Sequence, residues 1–461
     1  MLTHKGEIKI LSATGILGSG FREESLLRGI AWKPDVIGVD SGSTDPGPYY
    51  LGSGKSMFSQ RAYARDLRVL LREAVHRRIP LLIGSVATAG ANPHVDFMAQ
   101  IVRDLATELG LHFRLAVGRS EVDGGWLKAK FRVGKVQPLA NAPTLDEQVI
   151  DGSTHIVAMM GAEPFIWALS QGADVVLTGR ASDTSIFAAV PMMYGINPGK
   201  AWHAAKILEC GAASVTQRTV PDCMFATVTD DYFIVEPPAP DYRCTPQSVA
   251  SHTLYENADP FRLVEPMGIL NTSRCVYEAV SDRAVKVTGS TFTKGENHTL
   301  KLEGAEFVGY QAVVIAGVRD PVILEQLDQW VAHVKDAGEA RIKALYPEIG
   351  KPVLNFRIFG KNGVMGALEP IQRLEGHEAA IVMEATAPSQ DMANAIAATM
   401  SHFALHYAVP QWHGLISALA FPYAPAELTR GPVYRFNMNH VVYMDNEAEL
   451  RRVFPITMEI L

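Results

Sequence analysis

The 461-residue chain has only four cysteines, Cys210, Cys223, Cys244 and Cys275, and no C-x-x-C pair among them. That spacing argues against a thiolate zinc site or dithiol redox chemistry, and reduced thiols are expected. Cys210 follows Glu209 near the end of an expected helix, where the helix dipole disfavours a thiolate nucleophile. A surplus of positive charge is missing too. With 42 Lys and Arg against 49 Asp and Glu, the formal net charge is −7, which offers nothing to nucleic acid or to an anionic membrane surface. No apolar run approaches the roughly 20 residues that span a bilayer, and the first residues lack the features of a signal peptide, so a cytoplasmic location is expected. Phosphate-binding fingerprints are also lacking: Gly15-Ile-Leu-Gly-Ser-Gly20 is not G-x-G-x-x-G, and no G-x-x-x-x-G-K-[ST] occurs. Nicotinamide, flavin and nucleotide cofactors are therefore not expected.

What the chain does contain is an ordinary globular composition, 48% hydrophobic and 20% charged, at a length that favours more than one domain. Glu7–Leu11, Asp35–Asp40, Ile79–Gly84 and Val175–Thr178 read as short buried strands. Phe58–Arg77 is helix-periodic, with Tyr63, Leu67, Leu70, Leu71 and Ala74 on one stripe. Alternating strands and helices predict an α/β fold with a layered, largely parallel sheet. After Val235-Glu-Pro-Pro-Ala-Pro240 the rhythm changes. Thr245 and Pro246 open a capped helix, and 275–280, 284–289 and 298–304 read as alternating strands of an antiparallel subdomain within about 220–320. We place one domain at 1–335 and a small C-terminal α+β domain at 336–461, in the order strand 353–360, strand 378–387, helix 389–407 and strand 433–444.

In open α/β sheets, ligands lie beyond the carboxyl ends of the parallel strands. There the chain deposits Gly18-Ser19-Gly20, then Asp40-Ser41-Gly42 with Asp45, then Gly90-Ala91-Asn92. The strand Val175–Thr178 is followed by Arg180 and Asp183, with Ser182 or Asp183 as a helix cap. Arg180 is the candidate anchor for a carboxylate or phosphate; Gly18, Ser19, Gly20, Ser41, Gly42 and Asn92 are candidate substrate contacts, the glycine turn offering amides to a carbonyl. Asp40 and Asp183 are candidate acid–base residues. Asp40 and Asp45 could also hold a divalent cation, but no His ligand is near in sequence, and no metal site is assigned. His402 and His406, at i and i+4, would bind a metal only with help from His413 or His440.

Several blocks carry a resemblance. Ala173-Asp-Val-Val-Leu-Thr-Gly-Arg-Ala-Ser-Asp183, Ala204-Ala-Lys-Ile-Leu-Glu-Cys-Gly211 and Thr245–Pro260 resemble motifs of the acyclic terpene utilisation (AtuA-like) family. So do Gly15–Phe21, Arg357–Gly366 and Gly431–His440 of its longer members. Lys206 stands where the second block usually has His, so chemistry carried by that His would pass here to a Lys or be different. The resemblance implies a catabolic role, and Arg180 as an anion anchor beside carboxylates and Lys206 points to an enzyme acting on a small unsaturated carboxylic acid or acyl-CoA, a lyase or isomerase that hydrates, dehydrates or isomerises a double bond without a redox cofactor. Lys206 and Glu209 join Asp40 and Asp183 as proton carriers. It implies as the alternative a subunit that needs a separately encoded small companion protein. A homo-oligomer is expected.

Overall fold

A computed structural model describes residues 5–349, 353–371, 373–409 and 418–461. Five strands form a parallel core in the order Ile8–Ser12, Val36–Asp40, Leu81–Gly84, Val175–Thr178 and Arg114–Gly118. All but the first residue of Arg114–Gly118 and one residue of Ile8–Ser12 are buried in these strands, as expected of strands covered by helices on both faces. The expected α/β class is thus found. The helix predicted from Phe58 runs over Gln60–Arg77, where the Ser59 side chain accepts from the Ala62 amide, and its buried residues include the whole predicted stripe.

Two glycines in the core strands set the depth at which the next helix lies. A Cβ on Gly38 would meet the Phe187 ring at 2.6 Å, and one on Gly84 would meet Ile186 at 2.5 Å. Helix Asp183–Met193 can therefore settle close against the sheet, apolar almost throughout, with Asp183 at its first turn beside the strand ends.

The antiparallel strands expected within about 220–320 are found: Val276–Ala279 and Val285–Thr288, with Phe233–Glu236 and Met224–Val228, extend the main sheet antiparallel from Ile8–Ser12. A separate three-stranded sheet consists of Arg262–Glu265, Gly268–Asn271 and Thr291–Lys294. The expected strand at 298–304 is the start of Thr299–Val318, a 20-residue strand.

Contacts divide the chain into a unit of residues 1–306 with 436–461, and a unit of 307–435. Within the first unit, Ile456–Ile460 runs antiparallel to Arg114–Gly118 at the edge of the main sheet. In the second unit, Tyr310–Val318 and Val353–Phe359 pair on either side of Ala379–Ala387, and helices Leu327–Leu345 and Gln390–Leu405 bury their apolar faces in the core formed with these strands.

Candidate active site

Charged residues from several strand and helix ends lie within electrostatic reach of one another. Asp40 closes its strand and accepts from the Gly42 amide at 3.2 Å. Arg180 and Asp183 follow Val175–Thr178, and Lys206 and Glu209 come from the last turn and end of helix Pro198–Leu208. That helix end is pinned to the sheet by Ser12, whose Oγ donates to Leu208 O at 2.8 Å. Asp40, Arg180, Lys206 and Glu209 are each 4–8% exposed, whereas the Asp183 side chain keeps 32% of its surface.

The groups feel one another. Burial, then the charge of Asp183, lifts the Asp40 carboxyl well above the carboxylate range. Burial lifts Asp183 as well, against the pull of Arg180. Glu209 is pushed up to about 8 by burial despite Lys206, with Asp183 and Glu265 adding to the rise. Lys206 donates to Glu209 Oε1 at 2.5 Å; burial pulls the ammonium pKa down, yet Glu209 outweighs it and the Lys206 pKa rises. Crowded carboxyls in a site of low polarity must retain protons, because like charges there cannot all ionise.

Glu265 is a member that the sequence reading missed. It is buried at the end of Arg262–Glu265, accepts from Ser182 Oγ at 2.6 Å and from Thr184 Oγ1, and is raised to about 7, chiefly by burial. Ser182 does stand at the N-cap position, but its hydroxyl serves Glu265 rather than the helix amides. Nothing local in Glu265-Pro266 marks it, since it arrives from a separate sheet.

Arg180 is committed inside the protein. Its Nε donates to Glu303 Oε2 at 2.8 Å, and its Nη1 to Ala181 O at 2.6 Å, Ser85 Oγ at 3.1 Å and Asp183 Oδ1 at 3.2 Å. Burial pushes the Glu303 carboxyl upward, but Arg180 and Lys301 hold it down at about 2. Its Nε and Nη1 are thus engaged within the protein.

The glycine turn is likewise engaged. Gly18 and Gly20 donate their amides to Asp66 Oδ2 at 2.8 and 3.1 Å, and Ser19 Oγ donates to Ile16 O, which leaves those two amides no free hydrogen for a carbonyl. The turn serves close backbone packing: a Cβ on Gly15 would lie 2.6 Å from Cys210 O, and one on Gly211 would lie 2.6 Å from Gly15 N. Ser41 is fully buried and accepts from the Ala87 amide; a Cβ on Gly42 would meet Thr88 at 2.6 Å. Asn92 binds Arg119 through Oδ1 and Glu121 through its amide. These residues build the edge on which the carboxyls stand. Ser85, Ala87 and Thr88 hold φ of +49°, +53° and +97° in the same edge, a conformation that is costly for a β-branched residue and persists only where packing enforces it.

Gly90 shows how tight that edge is, with φ +66° and a hypothetical Cβ 2.2 Å from Arg180 N. Gly90→Ala should destabilise the fold by more than the about 1 kcal/mol that the left-handed conformation alone costs an alanine. Thermal unfolding beside Gly110→Ala, a left-handed glycine with open space around it, checks this: equal losses at both positions would mean that the edge yields freely.

Among the described residues, no group of three or more His, Cys, Asp or Glu could hold a metal ion. Asp45 is exposed and takes the Ser43 hydroxyl at 2.8 Å. The His402 and His406 rings are 5.3 Å apart; His440 accepts from the Asn439 amide, and His413 lies outside the described residues. All four cysteines are free thiols, and burial, then the charge of Glu209, pushes the Cys210 thiol well above its ordinary value, far from a thiolate. The 440 Å³ cavity lined by Glu163, Lys294, His298 and Glu447 includes none of the residues picked from the sequence. No helix among the described residues is long and apolar enough to cross a membrane.

The chain belongs to the acyclic terpene utilisation family AtuA, whose profile matches residues 10–420. The match spans Asp40, Arg180, Asp183, Lys206, Glu209 and Glu265 together. Neither the curated proteins nor the solved structures compared with the chain include a match.

Proposed function

We propose that this chain is an enzyme of proton transfer, adding water to, removing it from, or moving the double bond of a small unsaturated acyl group. One observation carries the reading: Asp40, Asp183, Glu209 and Glu265 crowd together with Lys206 beside them, while Arg180 shares its charge with Glu303. Carboxyls so arranged keep exchangeable protons near neutral pH, the property a general acid needs. Glu209 is the acid, donating to the substrate carbon in hydration and isomerisation and to the departing hydroxyl in dehydration. Asp183, the most accessible carboxyl and the one beside Arg180, is the base that takes the proton from water or from carbon. The Lys206 ammonium faces the negative charge that develops on the acyl oxygen. A thioester suits the site better than a free carboxylate, because the Arg180 guanidinium already binds a carboxylate of its own. These reactions are redox-neutral and call for no nicotinamide or flavin.

The test is to incubate the purified chain in heavy water with crotonyl-CoA and geranyl-CoA, and with the matching free acids, and to follow hydration and deuterium uptake by NMR. Turnover without added cofactor supports the reading; absence of both hydrated product and exchange across all four probes argues against it. A pH prediction follows. With the acid at about 8, kcat/KM should hold on the neutral side and fall about tenfold per unit above it as the Glu209 proton is lost. Glu209→Gln should show a low rate without that limb. A profile unchanged by the substitution would assign the acid elsewhere.

A further inference from the structure

The helix Pro246–Thr253 starts on a capping box, in which Thr245 Oγ1 accepts from the Ser248 amide at 3.1 Å and Ser248 Oγ accepts from the Thr245 amide at 2.9 Å. Its last turn delivers His252, 7% exposed, against helix Pro198–Leu208. The imidazole stacks on Tyr255 with centroids 5.7 Å apart, and the Lys206 Nζ lies 5.8 Å from the same Tyr255 ring. Tyr255 is 50% exposed, so this wall of the Lys206–Glu209 pair reaches solvent. His252 Nε2 is buried and has no hydrogen-bond partner among the described residues. A buried polar atom left unpaired is costly, and native structures keep few of them. Beside a buried Lys–Glu pair, such an atom is placed for a ligand atom.

We propose that His252 Nε2 donates a hydrogen bond to the oxygen of the bound acyl group, making His252 a catalytic residue opposite Lys206. This rests on the acyl reading above. Three features support it. The unpartnered nitrogen is one. The second is the ring's position, held by stacking rather than by a polar neighbour that substrate would have to displace. The third is charge: burial, then Lys206 and Arg218, hold the imidazole down at about 4, so it is neutral at working pH. A neutral imidazole carries one N–H, adds no charge next to the Lys206 ammonium, and strengthens its hydrogen bond as the acyl oxygen turns negative.

The full-length chain tests this with two substitutions and one spectrum. His252→Leu removes the hydrogen bond and an unsatisfied buried nitrogen together, so its melting temperature should not fall, while kcat for crotonyl-CoA should drop about hundredfold or more with KM nearly unchanged. His252→Gln, whose amide nitrogen reaches the position of Nε2, should recover at least about tenfold of that loss. A structural histidine would instead lower the melting temperature and leave kcat within about threefold, and that result overturns the proposal. In protein with ring-15N histidine, the Nε2 resonance assigned by its loss in His252→Gln should shift on adding crotonyl-CoA. If the wild type turns over no thioester, the acyl reading falls and the spectrum decides for His252: a shift keeps it as a ligand contact, and an unmoved resonance removes it.

Discussion

Replacing Lys206 with methionine is expected to cost about 3–5 kcal/mol of stability and to abolish turnover. The side chain is 4% exposed and its ammonium is 2.5 Å from Glu209. Without it, Glu209 is a buried carboxyl facing Asp183 and Glu265 with no cation in contact. The carboxyl would answer by holding its proton to higher pH, and part of the lost stability would return on acidification. The sign follows from the wild type: Glu209, raised to about 8, folds at least cost below its ordinary pKa and loses stability as pH rises from there through 8. Lys206→Met should widen that window upward. The double variant Lys206→Met with Glu209→Leu removes both charges and should recover most of the stability but none of the activity, because a buried pair replaced whole leaves no orphan. Melting temperature against pH for the three proteins, with turnover at one pH, checks this. A single variant as stable as the wild type would show that water reaches Glu209.

Arg180→Ala is expected to have the second largest effect, again about 3–5 kcal/mol, and here the loss belongs to the fold before it belongs to substrate. Glu303, 4% exposed, would be left with Lys301 alone. In the wild type its carboxyl is held at about 2, below its ordinary value. Its stabilisation is therefore complete above the ordinary carboxylate range and disappears as pH falls from there through 2. Arg180→Ala should lose most of that acid-side dependence. Arg180→Lys keeps a charge near Glu303 but cannot also reach Ser85 Oγ and Ala181 O, so it should lower the melting temperature by less. A variant with an unchanged melting temperature and weakened substrate capture would restore Arg180 as an anion anchor.

How the carboxyls meet is a matter of distance along the chain. The parallel core and the helix from Ser59 onward follow from local pattern: short β-branched runs between glycines and a 3.6-residue apolar stripe. Both are set by neighbours within a few residues. Asp40, Arg180 and Asp183 were legible for the same reason, because a polar residue just beyond the carboxyl end of a buried strand has one place to go; Glu209 entered through the family resemblance. What each does there was not legible. Arg180 is claimed by Glu303 and the glycine-turn amides by Asp66, partners 123 and 48 residues away for Arg180 and Gly18 respectively. His252 and Tyr255 lay inside a segment that the sequence marks clearly, yet only packing against Lys206 gives them a site to face. Glu265 enters from a sheet whose three strands share no pattern with the core. Local propensity and periodicity thus determined four of the five parallel core strands and the polar residues that follow them. The tertiary structure alone decided which charges are neutralised within the protein and which keep a proton to give, because that depends on burial and on partners that the chain brings together only when folded.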